Sequence, residues 1–186
     1  MRVAVYGGSF NPPHLGHALV CAWLVWTDQV DAVWLVPVAD HAFGKRLAPY
    51  EGRVAWCQAM ADRIGPFVEV STIESELPRP SYTLHTLRAL AEAHPEHRFR
   101  LVIGADILPH TPRWHHWDDI QAGFDPIVVG RDGYDSPPGV PVFPGVSSSE
   151  IRARLLAGEP VDTMVIDAVL AAIAPDHLEH WRDGGD

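Results

Sequence analysis

Short apolar runs alternate with helical stretches along most of the 186 residues, and this alternation narrows the fold further than any single motif. Strands are expected at residues 3–6, 32–36, 67–70, 101–103 and 126–129, each a brief apolar run of the kind that suits a strand buried on both faces. Helices are expected at residues 15–26, 51–64 and 83–93, with two more toward the C-terminus at 149–157 and 162–173, while residues 181–186 read as frayed. Repeated strand–helix units imply parallel strands with helices on both faces. The expected class is therefore α/β, a doubly wound, mostly parallel sheet of five to six strands with a small C-terminal helical part over residues 146–180. Residues 133–145 are rich in Pro and Gly and read as a loop, since the chain beyond residue 145 is too short to be a domain. A single domain over residues 1–186 is expected, and 47% hydrophobic content is enough to give it a sizeable core.

The charge balance restricts the partners. Fourteen Lys and Arg against 24 Asp and Glu leave a net charge of -10, which argues against nonspecific binding to nucleic acid or to an anionic membrane. Any phosphate ligand must then be held by local groups. Cys21 and Cys57 fall in helical stretches without the paired spacing of a zinc site or a disulfide framework, and read as small core residues. No charged leader with an apolar segment opens the chain and no apolar run is long enough to span a bilayer, so a cytoplasmic protein is expected.

The first strand–helix junction carries the most chemistry. Val3-Ala4-Val5-Tyr6 stops at Gly7-Gly8, where backbone can approach a ligand without Cβ interference, and Pro12-Pro13 delay the helix until about His14. The N-terminus of that helix presents unpaired N–H groups and the positive end of its dipole to the loop, a setting that collects anions. His14 and His17 are then an i, i+3 pair on one face, so both imidazoles can reach one polyphosphate. An ordinary turn carrying a surface or metal-binding histidine pair has the same local pattern. Neither G-x-x-x-x-G-K-[ST] nor G-x-G-x-x-G occurs, and Gly7-Gly8-Ser9-Phe10-Asn11 departs from G-x-S-x-G at its last position.

A second junction, Val146-Ser147-Ser148-Ser149-Glu150-Ile151-Arg152, fits a capping box between Ser147 and Glu150. Three hydroxyls at a helix start, with an arginine one turn on, also suit a second phosphate grip. Between the two junctions lie Pro80-Ser81-Tyr82-Thr83-Leu84-His85-Thr86-Leu87, then Ile103-Gly104-Ala105-Asp106, then Arg113-Trp114-His115-His116-Trp117-Asp118-Asp119-Ile120, and a strand ending Val129-Gly130-Arg131. The first of these reads as a Ser/Thr-capped helix start. Trp114 and Trp117, three apart, are expected on one helical face, as core aromatics that also offer an indole plane to a flat ring.

These segments resemble the nicotinate-nucleotide adenylyltransferase family of the nucleotidyltransferase superfamily. The opening is similar to G-x-F-x-P-x-H-x-G-H, with Ser9 where Thr is common and Asn11 where Asp is common; Val146 to Arg152 is similar to I-S-S-T-x-x-R, with Ser149 where Thr is usual. P-S-Y-T-x-x-T-L, G-A-D and W-x-x-W-x-x-I complete the likeness, which spans residues 2–158. It implies a Rossmann-like fold and transfer of AMP from ATP to the 5′-phosphate of nicotinic acid mononucleotide, releasing pyrophosphate, with Mg²⁺ accompanying ATP. His17 and His14 are assigned to the α and β phosphates, Arg152 and Ser148 to the β and γ phosphates, and Asp106 to a ribose hydroxyl. His17, His14 and Arg152 are the catalytic residues of this assignment. Gly7, Gly8, Ser9, Phe10, Gly16, Gly104, Arg131, Ser147 and Ile151 complete the ATP side, while Lys45, Ser81, Tyr82, Thr83 and Trp114 hold the acceptor.

Two departures concern the acceptor side. Asp40-His41-Ala42-Phe43-Gly44-Lys45 stands where the family has Pro-Pro-His-Lys, so Lys45 is a loose equivalent, and the stretch 132–145 is short. Expected partners are ATP and a pyridine mononucleotide, with no nucleic acid and no membrane, a homo-oligomer being left open. Nicotinamide mononucleotide, phosphopantetheine or a sugar phosphate are alternative acceptors, the P-S-Y-T and W-x-x-W segments arguing against the last two. A nucleotide-binding regulator without turnover is the alternative from another class, and release of pyrophosphate separates it from an enzyme. No H-E-x-x-H or comparable signature appears among the 11 histidines, so no metal ligands are assigned.

Overall fold

The computed structural model describes residues 1–40, 44 and 46–182. Six strands, β1 (Arg2–Gly8), β2 (Ala32–Pro37), β3 (Val68–Val70), β4 (Arg98–Gly104), β5 (Ile127–Arg131) and β6 (Val142–Phe143), form one sheet in the order β3-β2-β1-β4-β5-β6. Every neighbouring pair is parallel. The strand order reverses between β1 and β4, and the crevice beyond their carboxyl ends is where such a sheet takes ligands.

Alternation along β1 divides the core. Val3 and Val5 face one side, with Trp34, Leu101 and, from helix α3 (Thr83–Ala93), Leu84, Leu87 and Leu90; helix α4 (Trp117–Phe124) adds Ile120. Ala4 faces the other side, with Leu24 of α1 (Leu15–Trp26) and Trp56 and Met60 of α2 (Tyr50–Ile64). Ile151 of α5 (Ser148–Ala157), Val169 of α6 (Asp167–Ala171) and Trp181 of α7 (Pro175–Arg182) close that layer. Truncating any one of the fully buried leucines to Ala should cost about 2–5 kcal/mol. Cys21 and Cys57 are free and buried, as small core residues should be. No helix among the described residues is long and apolar enough to cross a membrane.

The five expected strands are present, and the structure adds β6 inside the stretch expected to be a loop. Its two residues pair with β5 because Gly130 N–H donates to Pro141 O at 2.7 Å, and a Cβ at Gly130 would sit 3.0 Å from that oxygen and 2.6 Å from Ser136 Oγ. So short a strand among prolines leaves no period to read. The helix expected over 162–173 shrinks to α6, since Ile166 is extended (φ -68°, ψ 136°) and Met164 and Val165 pack into the core ahead of it. In place of a frayed end from 181, α7 runs to Arg182, with Trp181 packed beside Trp56 at 5.7 Å and only 4% exposed. Trp114 and Trp117 do not share a helical face. Trp114 caps a 3₁₀ turn (Leu108–Arg113), His116 is left-handed (φ 53°), and α4 begins at Trp117, so the two rings meet edge to face at 5.8 Å.

Candidate functional site

A cleft of about 820 Å³ opens at the carboxyl ends of β1 and β4. One wall is the β1–α1 loop. Phe10 adopts φ 45°, which turns its ring beneath the loop, edge-on to Tyr6 at 5.9 Å and to His17 at 5.0 Å. A Cβ at Gly8 would lie 3.2 Å from that ring, so glycine lets the loop close over it. His14 is the N-cap residue of α1, and its backbone N–H donates to His17 Nδ1 at 3.1 Å. A neutral imidazole accepting at Nδ1 carries its proton on Nε2, so this bond makes His17 an Nε2–H donor. The two rings stack at 3.7 Å with 29° between planes, and Gly16 makes room, a Cβ there falling 3.1 Å from the His14 ring.

Burial pushes the pKa of His14 down to about 3, with the Arg131 charge adding to the effect. Burial also holds His17 well below the usual histidine range, helped by His14 and Arg131. Both rings are therefore neutral donors near pH 7, and the fixed positive potential comes from the helix end and from Arg131. Arg131 lies 3.8 Å from the Asp106 carboxylate and donates from Nη2 to Val146 O at 2.8 Å, tying β5 to the approach of α5. Asp106 folds back over Gly104, where a Cβ would collide with its carboxylate.

Residues far away in sequence brace the loop from behind. Arg53, only 2% exposed, donates from Nη1 to Ser9 O at 3.0 Å and from Nε to Ala48 O at 2.9 Å. Asn11 Oδ1 accepts from Ala48 N–H at 3.3 Å and from the Trp181 indole at 3.2 Å. Arg152 donates to Asn11 O at 2.9 Å, and Ser148 Oγ donates to Pro12 O at 2.8 Å. Ser147 caps α5 as expected, accepting from Glu150 N–H at 3.0 Å; the Glu150 carboxylate turns instead to Arg154 at 2.9 Å, so the box is half formed.

On the opposite wall stand Ser81, Tyr82, Thr83 and Trp114. Asp40 and Ser81 exchange two hydrogen bonds, Ser81 N–H to Asp40 O at 3.1 Å and Asp40 N–H to Ser81 Oγ at 3.3 Å, which anchors the loop after β2 to the segment leading into α3. Sequence reasoning missed two features here. Tyr82 stacks on His115 at 4.8 Å with His85 edge-on to both, and partial desolvation, then His116, His85 and Arg88, hold His115 below its ordinary value. Both histidines fall inside the 80–87 and 113–120 segments, at positions whose spacing alone marks no role. Glu74 is buried on the cleft wall, its carboxylate accepting from Thr86 Oγ1 at 2.8 Å and Ala39 N–H at 3.0 Å; no local pattern marks it.

The cleft thus gathers Gly7, Gly8, Ser9, His14, Gly16, His17, Gly104, Asp106 and Arg131 with Ser81, Tyr82, Thr83 and Trp114. Phe10 and Ile151 lie beneath its wall: Phe10 packs under the rings, and the apolar face of α5 turns Ile151, 0% exposed, into the core. Ser147, Ser148 and Arg152 are not among the residues lining the cleft: Ser147 caps α5, and Ser148 and Arg152 hydrogen-bond to the loop backbone at its rim. Lys45 lies outside the described residues.

The chain resembles known proteins over most of its length. The Cytidylyltransferase-like family model matches residues 5–154. A curated protein of Anaeromyxobacter sp. (strain K), described as a probable nicotinate-nucleotide adenylyltransferase, is 47% identical over 172 residues, 91% of each chain. One of Myxococcus xanthus, with the same description, is 38% identical over 179 residues, 95% of this chain and 93% of that one. Among solved structures, a Plasmodium falciparum nicotinic acid mononucleotide adenylyltransferase complexed with NaAD aligns with a TM-score of 0.69 over 98% of this chain and 95% of that one. At 18% identity that likeness speaks for the fold alone.

Proposed function

The chain belongs to the nicotinate-nucleotide adenylyltransferase family, and from that premise we propose how its cleft joins ATP to nicotinic acid mononucleotide, giving nicotinic acid adenine dinucleotide and pyrophosphate. A 5′-phosphate oxygen of the mononucleotide attacks the α-phosphorus of ATP, and the bond from that phosphorus to the α–β bridging oxygen breaks as pyrophosphate leaves. The nucleophile is already an anion, so no enzymatic base is needed. Alignment and neutralisation of the charge that develops in flight then account for the rate.

His17 Nε2–H is the donor to the α-phosphate, in a role its neighbour His14 shares toward the β-phosphate. The observation that carries this reading is the dehydrated pair itself: two neutral imidazoles, one with its tautomer set by a 3.1 Å bond, stacked at the positive end of α1. Such donors need no reorganisation as charge builds. Ser148 and Arg152 are assigned to the β and γ phosphates, and because both also hold the loop, their loss would act on loop and ligand together. Asp106 meets a ribose hydroxyl; Trp114 offers its indole face to the pyridine, and Ser81, Tyr82 and Thr83 face its carboxylate.

Mg²⁺ enters as part of the substrate, carried on the ATP phosphates. The described cleft residues fit that arrangement: Asp106 lies beside Arg131 at 3.8 Å and Glu74 is engaged by Thr86 and Ala39, so no cluster of spare carboxylates stands ready to strip the ion of its water. The test is pyrophosphate release with ATP and Mg²⁺, offering nicotinic or nicotinamide mononucleotide. Strong preference for the nicotinate is expected. ATP binding without turnover on either acceptor would leave a nucleotide-binding regulator.

A further inference from the structure

We propose that His94, Glu96 and His97 form a binding site for a first-row divalent transition metal of the zinc class, at the end of the sheet away from the cleft. The three residues lie in the turn between α3 and β4. His94 is the C-cap residue of α3, its N–H donating to Leu90 O at 2.9 Å, and His97 N–H donates back to His94 O at 3.0 Å. Closing that turn sets the two imidazoles parallel, 5° between planes and 5.8 Å between centroids. Glu96 Oε1 lies 3.3 Å from His97 Nε2 and 3.8 Å from His94 Nδ1, and one donor atom from each residue falls within 4.8 Å of the others.

Two imidazoles and a carboxylate are a zinc ligand set, and metal–ligand bonds of about 2.0 Å place tetrahedral donors roughly 3.3 Å apart. The Glu96–His97 pair already has that spacing. His94, its side chain 41% exposed, has only to rotate inward, whereas His97, 13% exposed, is wedged edge-on against Trp34 at 5.8 Å and Phe99 at 6.1 Å. Trp34 also meets the His94 ring edge-on at 4.8 Å, so the aromatic wall limits where both donors can point.

Apart from the Met1 ammonium, which donates to Glu96 O at 3.4 Å, and Arg98 next along the chain, the electrostatic setting favours a cation. The carboxyl end of the 11-residue helix α3 carries the negative end of its dipole, no Lys or Arg stands in its last turn, and the chain as a whole is at -10. A fourth position, open to water, completes a coordination sphere that clamps α3 to β4. The site stands roughly 20 Å from the cleft, the rise of the seven residues of β4, and owes nothing to the assignment of the phosphate loop.

The full chain, stripped with chelator and desalted, is titrated with Zn²⁺ by calorimetry at neutral pH, and with Co²⁺ while the visible d–d bands are recorded. One equivalent at micromolar affinity with tetrahedral Co²⁺ bands is expected. The double variant His94→Ala/His97→Ala should lose at least roughly a hundredfold in affinity, and Glu96→Gln, which keeps both imidazoles, at least roughly tenfold. Pyrophosphate release should be unchanged in both variants. Binding of equal strength in the double variant would put the metal on other histidines and overturn the proposal. So would failure of the unmodified chain to bind, which would leave the trio as an ion pair.

Discussion

Two of the three histidine pairs at i, i+3 spacing in this chain stand in opposite fields. His14 and His17 sit at the amino end of α1, stacked at 3.7 Å, His14 buried and His17 half-buried, near Arg131, whose charge is itself faced by the Asp106 carboxylate. His94 and His97 sit at the carboxyl end of α3, 5.8 Å apart, with a carboxylate between them. Spacing brings two rings together; the helix end and the neighbouring charges decide which sign of ligand they hold. On the readings proposed above, the first pair takes an anion and the second a cation.

The sharpest way to break this contrast is to remove one ring from each pair. His17→Ala should lower kcat for pyrophosphate release by about 10²-fold or more, while His97→Ala leaves it untouched. Near-normal turnover in His17→Ala would strip the buried pair of its catalytic role.

Acid tests the burial of the first pair next. The folded chain holds His14 neutral down to about 3 and His17 well below its ordinary range, whereas the unfolded chain protonates both near 6.5. The unfolded state therefore binds more protons throughout that window, and stability falls as the pH drops below 6.5, by up to about 1.4 kcal/mol per pH unit for each imidazole. Thermal melts from pH 7 to pH 5 should show the decline, and His17→Gln should make it shallower. An unchanged slope in that variant would contradict the dehydration of the ring.

Trp114→Ala tests the opposite wall. It should raise KM for the mononucleotide roughly tenfold and KM for ATP much less, because it removes ring binding remote from the reacting phosphates. Equal effects on both substrates would make Trp114 a packing residue. The smallest change concerns the bracing of the loop: Trp181→Phe keeps an aromatic ring but deletes the indole donor to Asn11 Oδ1, at about 1 kcal/mol. A melting temperature identical to that of the parent would mean that bond carries nothing.

The features legible in the chain alone are local ones. The apolar periods of 3–6 and 83–93, the Gly7-Gly8 turn, the Ser147 cap and the i, i+3 spacing of His14 and His17 all arise from interactions within a few residues, which is why the alternating α/β order and the histidine-bearing start of α1 can be read directly from the sequence. Other features come into being only when distant segments meet. Arg53 holds Ser9 from 44 positions away and Trp181 holds Asn11 from 170, so neither α7 nor the shape of the phosphate loop has a local signature. The tautomer of His17 depends on the turn that aims the His14 N–H, the stack of Tyr82 on His115 on the irregular backbone between the 3₁₀ turn and α4, and the ligand-like grouping of His94, Glu96 and His97 on Trp34 packing behind it. Sequence determines which groups are near one another along the backbone; burial and the charges that folding brings alongside decide what those groups can bind.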